Sequence, residues 1–164
     1  MKKSKTAAEL LAQLAQDPEY QSLREKQEGE LAERAAVYRD DEASMISELH
    51  SLGYRVESVW DFVNNKNRHG FLQKFNGRYD GAYPILVKHL SIEHHPRVRE
   101  GIIRALTEKE ANDAASEALL REFDRETDPR LRWVLANALR TVLTGAQKRK
   151  HPEYKKVYTA KGQP

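Results

Sequence analysis

Apolar residues in the second half of the chain recur at steps of three and four, the spacing that places side chains along one side of an α-helix. One run begins after Pro96 and a second begins after Pro129. The apolar positions are Val98, Ile102, Ala105 and Leu106 in the first run and Leu131, Val134, Leu135, Ala138, Leu139 and Val142 in the second. The pattern predicts an all-α fold in which two helices each open at a proline.

These two runs belong to an internal repeat with an offset of 33 residues. The offset places Pro96-Arg97-Val98-Arg99 on Pro129-Arg130-Leu131-Arg132, and it places the apolar stretch that ends at Leu90 on the stretch that ends at Phe123. Each copy is a helix, a polar turn and a second helix, over residues 82–110 and 115–144. Such units bury their apolar sides only by stacking on each other, so the repeat predicts a helical solenoid.

The polar residues of the repeat support the same prediction. Asp128 can cap the following helix, and Pro129 has no N–H group that needs a partner there. Gly101 and Ala136 are small residues on otherwise apolar helices, and we expect neighbouring helices to approach closely at both.

The segments His95-Pro96-Arg97-Val98-Arg99 and Asp128-Pro129-Arg130-Leu131-Arg132 resemble the HEAT repeat family in its short bacterial-type form. The resemblance covers about residues 82–144 and departs from the family at His95, where Asp is usual. It implies a short right-handed HEAT-like α-solenoid of antiparallel helix pairs, with a binding or scaffolding role. It also implies that Arg99 and Arg132 brace neighbouring repeats by hydrogen bonds.

The remaining segments carry weaker patterns, which predict four further regions. Residues 1–40 form an N-terminal helical extension, in which the second helix runs from Asp17-Pro18 to about Arg39 and is interrupted by Gly29. Residues 41–65 form a degenerate capping repeat, whose first helix runs from Asp41 to Leu52 and stops at Gly53. Residues 66–81 form a basic and aromatic connection, and residues 145–164 form a frayed basic tail.

Composition narrows the class of protein. The 164 residues include no Cys, which excludes a disulfide scaffold, a zinc–thiolate site and a thiol nucleophile. No apolar stretch approaches a membrane span, and the N-terminus makes a poor signal peptide, so we expect a cytoplasmic protein that does not enter the membrane. The charge is uneven: residues 1–63 carry −5, residues 64–81 carry +3, residues 82–144 are neutral and residues 145–164 carry +5.

The two basic segments are candidates for nucleic-acid binding, because basic groups neutralise phosphates and aromatic rings stack on unpaired bases. The first segment interleaves basic and aromatic residues, and the second is a basic run in the tail. Their residues are Lys66, Arg68, Phe71, Lys74 and Arg78, then Lys148, Arg149 and Lys150. A competing interpretation makes Phe71, Phe75 and Tyr79 a helical stripe that fills the space between cap and repeats.

A third candidate surface lies on the second helices of the repeat and comprises Arg97, Arg130, Trp133 and Asn137. The sequence has no catalytic motif. His89, His94 and His95 lack the spacing of a helical metal pair, so we predict no metal site. In the absence of a catalytic or cofactor motif, we also predict no cofactor and no catalytic residues. Trp133, Asp128 and Arg132 also permit a remote alternative, an enzyme similar to HEAT-like DNA glycosylases.

These observations together predict a non-catalytic HEAT-repeat adaptor that binds another protein. The alternative is a nucleic-acid-binding module that uses the basic segments. Self-association through the N-terminal helices is a further possibility, because their narrow apolar face buries little surface alone.

Overall fold

The computed structural model describes residues 6–65 and 77–159, and within these residues every regular element is helical. The all-α prediction is confirmed. The α-helices are α1 (Ala7–Leu14), α2 (Pro18–Ser51), α3 (Trp60–Asn64), α4 (Tyr83–Leu90), α5 (Pro96–Ala105), α6 (Asn112–Arg125), α7 (Pro129–Val142), α8 (Gly145–Lys150) and α9 (Lys156–Thr159). Short 3-10 turns lie at Asp80–Ala82, Lys109–Ala111 and Glu153–Lys155.

The chain divides into two compact units, Met1–Tyr38 and Arg39–Pro164. In the first unit, no side chain among residues 6–38 is buried. Helix α1 begins with a capping box, in which the Thr6 hydroxyl accepts from the Glu9 amide and the Glu9 carboxylate accepts from the Thr6 amide. The large apolar side chains of this unit are exposed, namely Leu10, Leu11, Leu23, Leu31 and Val37.

Helix α2 is one continuous helix, so the predicted break between Arg39 and Asp41 is wrong. Neither residue lowers helix propensity enough to end a helix that later packs through Met45 and Leu49. The predicted interruption at Gly29 is also wrong, because α2 continues through this residue. The predicted stop is confirmed at Gly53, whose φ of +89° favours glycine.

The core of the second unit lies between helix pairs. Helix α4 packs on α5 and α6, α7 packs on α5 and α6, and α3 packs on α5. Residues 33 apart are buried together throughout these helices. The buried equivalent pairs are Ala82 and Ala115, Leu86 and Leu119, Leu90 and Phe123, Val98 and Leu131, Ile102 and Leu135, Ala105 and Ala138, and Leu106 and Leu139. The two copies of the repeat therefore bury the same positions.

Polar groups at the helix starts and turns complete this packing. The Asp128 carboxylate accepts from the amides of Arg130 (2.8 Å) and Leu131 (3.0 Å), as the sequence predicts. At the equivalent position, Nδ1 of His95 accepts from the Arg97 amide at 3.1 Å, so the substituted residue also caps its helix. Both bonds to Asp128 are accepted by one oxygen, Oδ1, which has two lone pairs, whereas the acceptor nitrogen of an imidazole has one.

The two arginines three residues after the prolines hold the pairs together. Arg99 donates to the Leu90 carbonyl at 3.2 Å and to the Glu122 carboxylate at 2.6 Å, so it links α5 to α4 and α6. Arg132 donates to the carbonyls of Phe123 and Glu126 and lies over the Phe123 ring. The resemblance implied a brace between neighbouring repeats: Arg99 joins the pair α4–α5 to α6 in this way, whereas the bonds of Arg132 stay within the pair α6–α7.

The segment after Thr144 is ordered through residue 159, so the predicted frayed tail is wrong for this part of it. Helix α8 begins with a capping box between Thr144 and Gln147. Asn112 at the start of α6 donates to the Val142 carbonyl and to Gln147, which attaches α8 to the helix pair. Tyr154 is buried where the last 3-10 turn and α9 pack on α7.

Candidate binding surface

The candidate surface consists of side chains from α3, α5 and α7 that point away from α4 and α6. Residues 97, 100 and 104 of α5 share one side of that helix because they are three and seven apart. Residues 130, 133 and 137 occupy the equivalent positions in α7, at the offset of 33. We call this surface the arginine face and define it by Arg97, Glu100, Arg104, Arg130 and the residues that contact them.

A buried carboxylate lies at the centre of the arginine face. The Glu100 side chain is 5% exposed and accepts from Nε of Arg104 at 2.8 Å and from Nη2 of Arg130 at 3.0 Å. Nη1 of Arg97 lies 3.9 Å from the same carboxylate. Three guanidinium groups thus surround one carboxylate, and Arg97 and Arg130 alone carry more positive charge than Glu100 carries negative charge. The negative charge is covered, whereas Arg97 is 44% exposed and Arg130 is 68% exposed.

Helix α3 fixes the position of Arg97. The Arg97 guanidinium lies over the Trp60 ring, 3.6 Å from its centroid, which is a close cation–π contact. The Trp60 indole N–H donates back to the Arg97 carbonyl at 3.2 Å. Gly101 permits this approach, because a Cβ there would lie 2.5 Å from Val59 Cγ1 and 2.9 Å from Trp60 Nε1. The close approach predicted at Gly101 is confirmed, and α3 is its partner.

A small pocket of about 190 Å³ opens beside the cluster. Two valines, an arginine, a threonine and an amide line it, from all three helices of the face. They are Val63 of α3, Arg104 of α5, Thr107 just after α5, and Val134 and Asn137 of α7. Arg104 belongs to both features, since it also bonds to Glu100. The pocket therefore offers an apolar wall next to fixed positive charge.

Trp133 is half-buried, and its indole N–H is buried without a hydrogen-bond partner among the described residues. It occupies the position in α7 that Glu100 occupies in α5. The two helices thus present different chemistry at one position of the repeat.

The other predicted site residues are dispersed. Arg78 forms ion pairs with Asp80 at 3.0 Å and with Glu110 at 3.9 Å. Lys148, Arg149 and Lys150 form the last turn of α8, where positive charge complements the helix dipole. Lys66, Arg68, Phe71 and Lys74 lie outside the described residues, as does Phe75. Tyr79 supports the packing interpretation: it is buried against Phe62 and Tyr83, and its hydroxyl donates to the Ala105 carbonyl at 2.7 Å.

The clustered histidines form a hydrogen-bonded chain. Nδ1 of His89 lies 3.1 Å from Nε2 of His94, and the outer nitrogens lie 3.1 Å from Glu48 and from Asp41. Both rings are almost fully buried. Among residues 6–65 and 77–159, no group of three or more His, Asp or Glu side chains is arranged to hold a metal ion.

The pKa values of two glutamates in α2 are shifted in opposite directions. The Lys88 ammonium, 2.8 Å away, and then His89 lower the pKa of Glu48. Burial raises the pKa of Glu42, although its carboxylate accepts from the Val59 amide at 2.9 Å and from the Ser58 hydroxyl.

The sequence pattern was not used to identify Glu100 or Arg104 as candidate site residues, and Trp60 was predicted only as a packing or interface residue. Glu100 and Arg104 follow Arg97 at helical spacing, so a search for one-sided charge on α5 would have found them. The contact of Trp60 with Arg97 joins residues 37 apart, and no local pattern indicates it.

No helix in the described parts of the chain is long and apolar enough to cross a membrane. Comparison with known proteins finds no matching family model, no matching curated protein and no matching solved structure.

Proposed function

We propose that this protein is a non-catalytic adaptor of the HEAT-repeat type, which binds a partner protein on its arginine face. In this proposal α4–α5 and α6–α7 are consecutive repeats of a short α-solenoid, and the C-terminal half of α2 with α3 is a degenerate repeat that caps them. The matching burial of residues 33 apart supports this arrangement, and so do the contacts of α3, α5 and α7 along one side.

The observation that carries the proposal is the side-by-side position of α3, α5 and α7, which places their polar side chains on one surface. Stacked repeats of this kind form extended binding surfaces, because each unit adds a helix to the same side. Arginine and tryptophan are among the residue types enriched at the centres of protein interfaces. Here they lie beside a small pocket, which is where such residues contribute most to binding.

The glycosylase and nucleic-acid interpretations depend on other residues. The residues of the glycosylase alternative have structural bonds, since Asp128 caps α7 and Arg132 binds two carbonyl groups. The nucleic-acid alternative uses the basic segments, and residues 66–76 of the first segment lie outside the described residues. On the arginine face, Arg97 covers one face of the Trp60 ring, which leaves that face closed to stacking on bases.

Site-specific photo-crosslinking tests the proposal. A photoreactive amino acid replaces Thr107 or Asn137, which line the pocket, and in a control it replaces Glu117, which is exposed on α6. The experiment is done in the cells that make the protein, and the products are identified by mass spectrometry. We expect one partner protein from both pocket positions and not from the control. Crosslinks to nucleic acid alone, or the same products from all three positions, would overturn the proposal. A product that contains only this chain would instead indicate self-association.

A further inference from the structure

We infer that the arginine face binds an acidic peptide segment of its partner, in which a carboxylate side chain lies next to an aliphatic side chain. This inference rests on the proposed function and names the chemistry of the partner. Its observations are the two exposed guanidinium groups held by Glu100 and Trp60, together with the pocket that shares Arg104 with them.

The arginines are positioned before any ligand arrives. Glu100 is held in place by Arg104 and Arg130, and Arg97 is held over the indole ring by a helix that Gly101 allows to approach. Because the guanidinium groups are already fixed, binding of a ligand does not carry the entropic cost of ordering these side chains. Arginine also donates two parallel hydrogen bonds to a carboxylate, which a flexible lysine does not reproduce.

The charge balance selects an anion over a cation. Among the described residues, Glu100 is the carboxylate that pairs with Arg97 and Arg130, and its single negative charge is set against their two positive charges. A partner's carboxylates would meet the outward sides of Arg97 and Arg130, where the excess charge is exposed. A basic segment would meet repulsion at the same place.

The pocket specifies what lies beside the carboxylate. Its volume of about 190 Å³ accommodates one aliphatic side chain, and Val63 and Val134 supply apolar contact on two sides. Because Arg104 lines the pocket and bonds to Glu100, the pocket adjoins the cluster, and one peptide can contact both. A nucleotide strand has no branched aliphatic side chain for such a pocket, since thymine offers only a methyl group.

Selection from a random peptide library displayed on phage, against the full chain, tests this inference. We expect the selected peptides to carry Asp or Glu next to Leu, Ile or Val. A synthetic copy should lose at least about tenfold in affinity when its acidic residues become amides, and a similar factor when the protein carries R97Q and R130Q together.

The matched control carries R121Q and R125Q, which remove the same charge from exposed positions of α6. We expect the affinity of this control variant for the selected peptide to stay within about twofold of the wild-type value. A second variant with R97K and R130K keeps the charge, and it should retain binding better than the glutamine variant if the fold is intact.

Selected peptides without acidic residues would overturn the inference, as would an equal loss of affinity in the α6 control. Binding of a single-stranded oligothymidylate, lost only in the R97Q and R130Q variant, would assign the face to nucleic acid. If crosslinking from Thr107 and Asn137 still captures a partner protein while the peptides are not acidic, the adaptor proposal stands and this inference fails.

Discussion

The two helix pairs α4–α5 and α6–α7 bury the same apolar positions but use different polar groups at an equivalent place. His89 in α4 and Glu122 in α6 are 33 residues apart, and both are buried. His89 bonds to Glu48 of α2 and to His94, whereas Glu122 bonds to Arg99 of α5. Each side chain therefore ties its helix to one earlier in the chain, by unlike chemistry.

The histidine chain consists of three contacts of 3.1 Å, from Glu48 to His89, from His89 to His94 and from His94 to Asp41. Which nitrogen donates in each contact depends on the tautomers of the two rings. The Arg99–Glu122 contact is instead a direct bond from a guanidinium group to a carboxylate. The comparison shows that the two pairs share equivalent buried apolar positions, while the polar contacts between helices differ from one pair to the other.

The largest expected effect is on the shared core. Ile102→Ala and Leu135→Ala remove equivalent buried side chains, and each should lower the free energy of unfolding by about 2–5 kcal/mol. Urea denaturation measures both, with Leu23→Ala on exposed α2 as a control that should change it by less than about 0.5 kcal/mol. A large cost at only one of the two core positions would break the equivalence of the pairs.

The next effect concerns Gly101, whose equivalent in α7 is Val134. Gly101→Ala forces α3 away from α5, and we expect a loss of about 1–3 kcal/mol in unfolding free energy together with a changed Trp60 fluorescence. Gly29→Ala is the control: its Cβ meets nothing, so helix propensity alone should raise helix stability by about 0.5–1 kcal/mol. Equal effects at both glycines would mean that α3 does not press on α5.

Double-mutant cycles sharpen the comparison of the polar ties. We expect coupling energies of about 0.5–3 kcal/mol both for Arg99 with Glu122 and for His89 with Glu48. The first should be the larger, because it joins a guanidinium group to a carboxylate and both are largely buried, whereas Glu48 is more exposed. A stronger coupling for the histidine pair would reverse this ranking.

The smallest effects are pH dependences of opposite sign within α2. The folded pKa of Glu48 is lowered, so its contribution to stability is present above the unfolded value of about 4.3 and is lost as the pH falls through the folded value. The folded pKa of Glu42 is raised, so its contribution is complete below the unfolded value and is lost as the pH rises through the folded one.

Chemical denaturation of Glu48→Gln and Glu42→Gln across the acid range measures these slopes. As the pH rises, Glu48→Gln should fall in stability relative to wild type, and Glu42→Gln should gain. Slopes of the same sign would contradict the assignment of burial to one group and ion pairing to the other.

Local signals predicted much of the helical structure. Pro96, Pro129 and Asp128 mark helix starts, Gly53 marks a stop, and apolar periodicity identifies the buried side of each helix. The continuity of α2 was missed because Arg39 and Asp41 are neutral in propensity and only later packing decides between one helix and two. The C-terminal segment was missed although Thr144 and Gln147 carry a capping-box signature.

The surface was predicted less well than the fold. Arg97, Arg130, Trp133 and Asn137 were identified as a candidate surface on the second helices, but the buried acid between the arginines was not. A carboxylate that binds three arginines looks, in sequence, like one more charged residue on a helix. The histidine chain was equally hidden, since its carboxylates lie about 40 and 50 residues away.

The ordered C-terminal segment has a consequence for how such a chain can change in length. Tyr154 is buried, and the 3-10 turn Glu153–Lys155 and α9 both pack on α7. Part of the surface of α7 is therefore already covered. Gene duplication that adds a unit must insert it ahead of residue 144, so that the covering segment moves outward with the new end. A unit appended after residue 159 would find its docking side occupied.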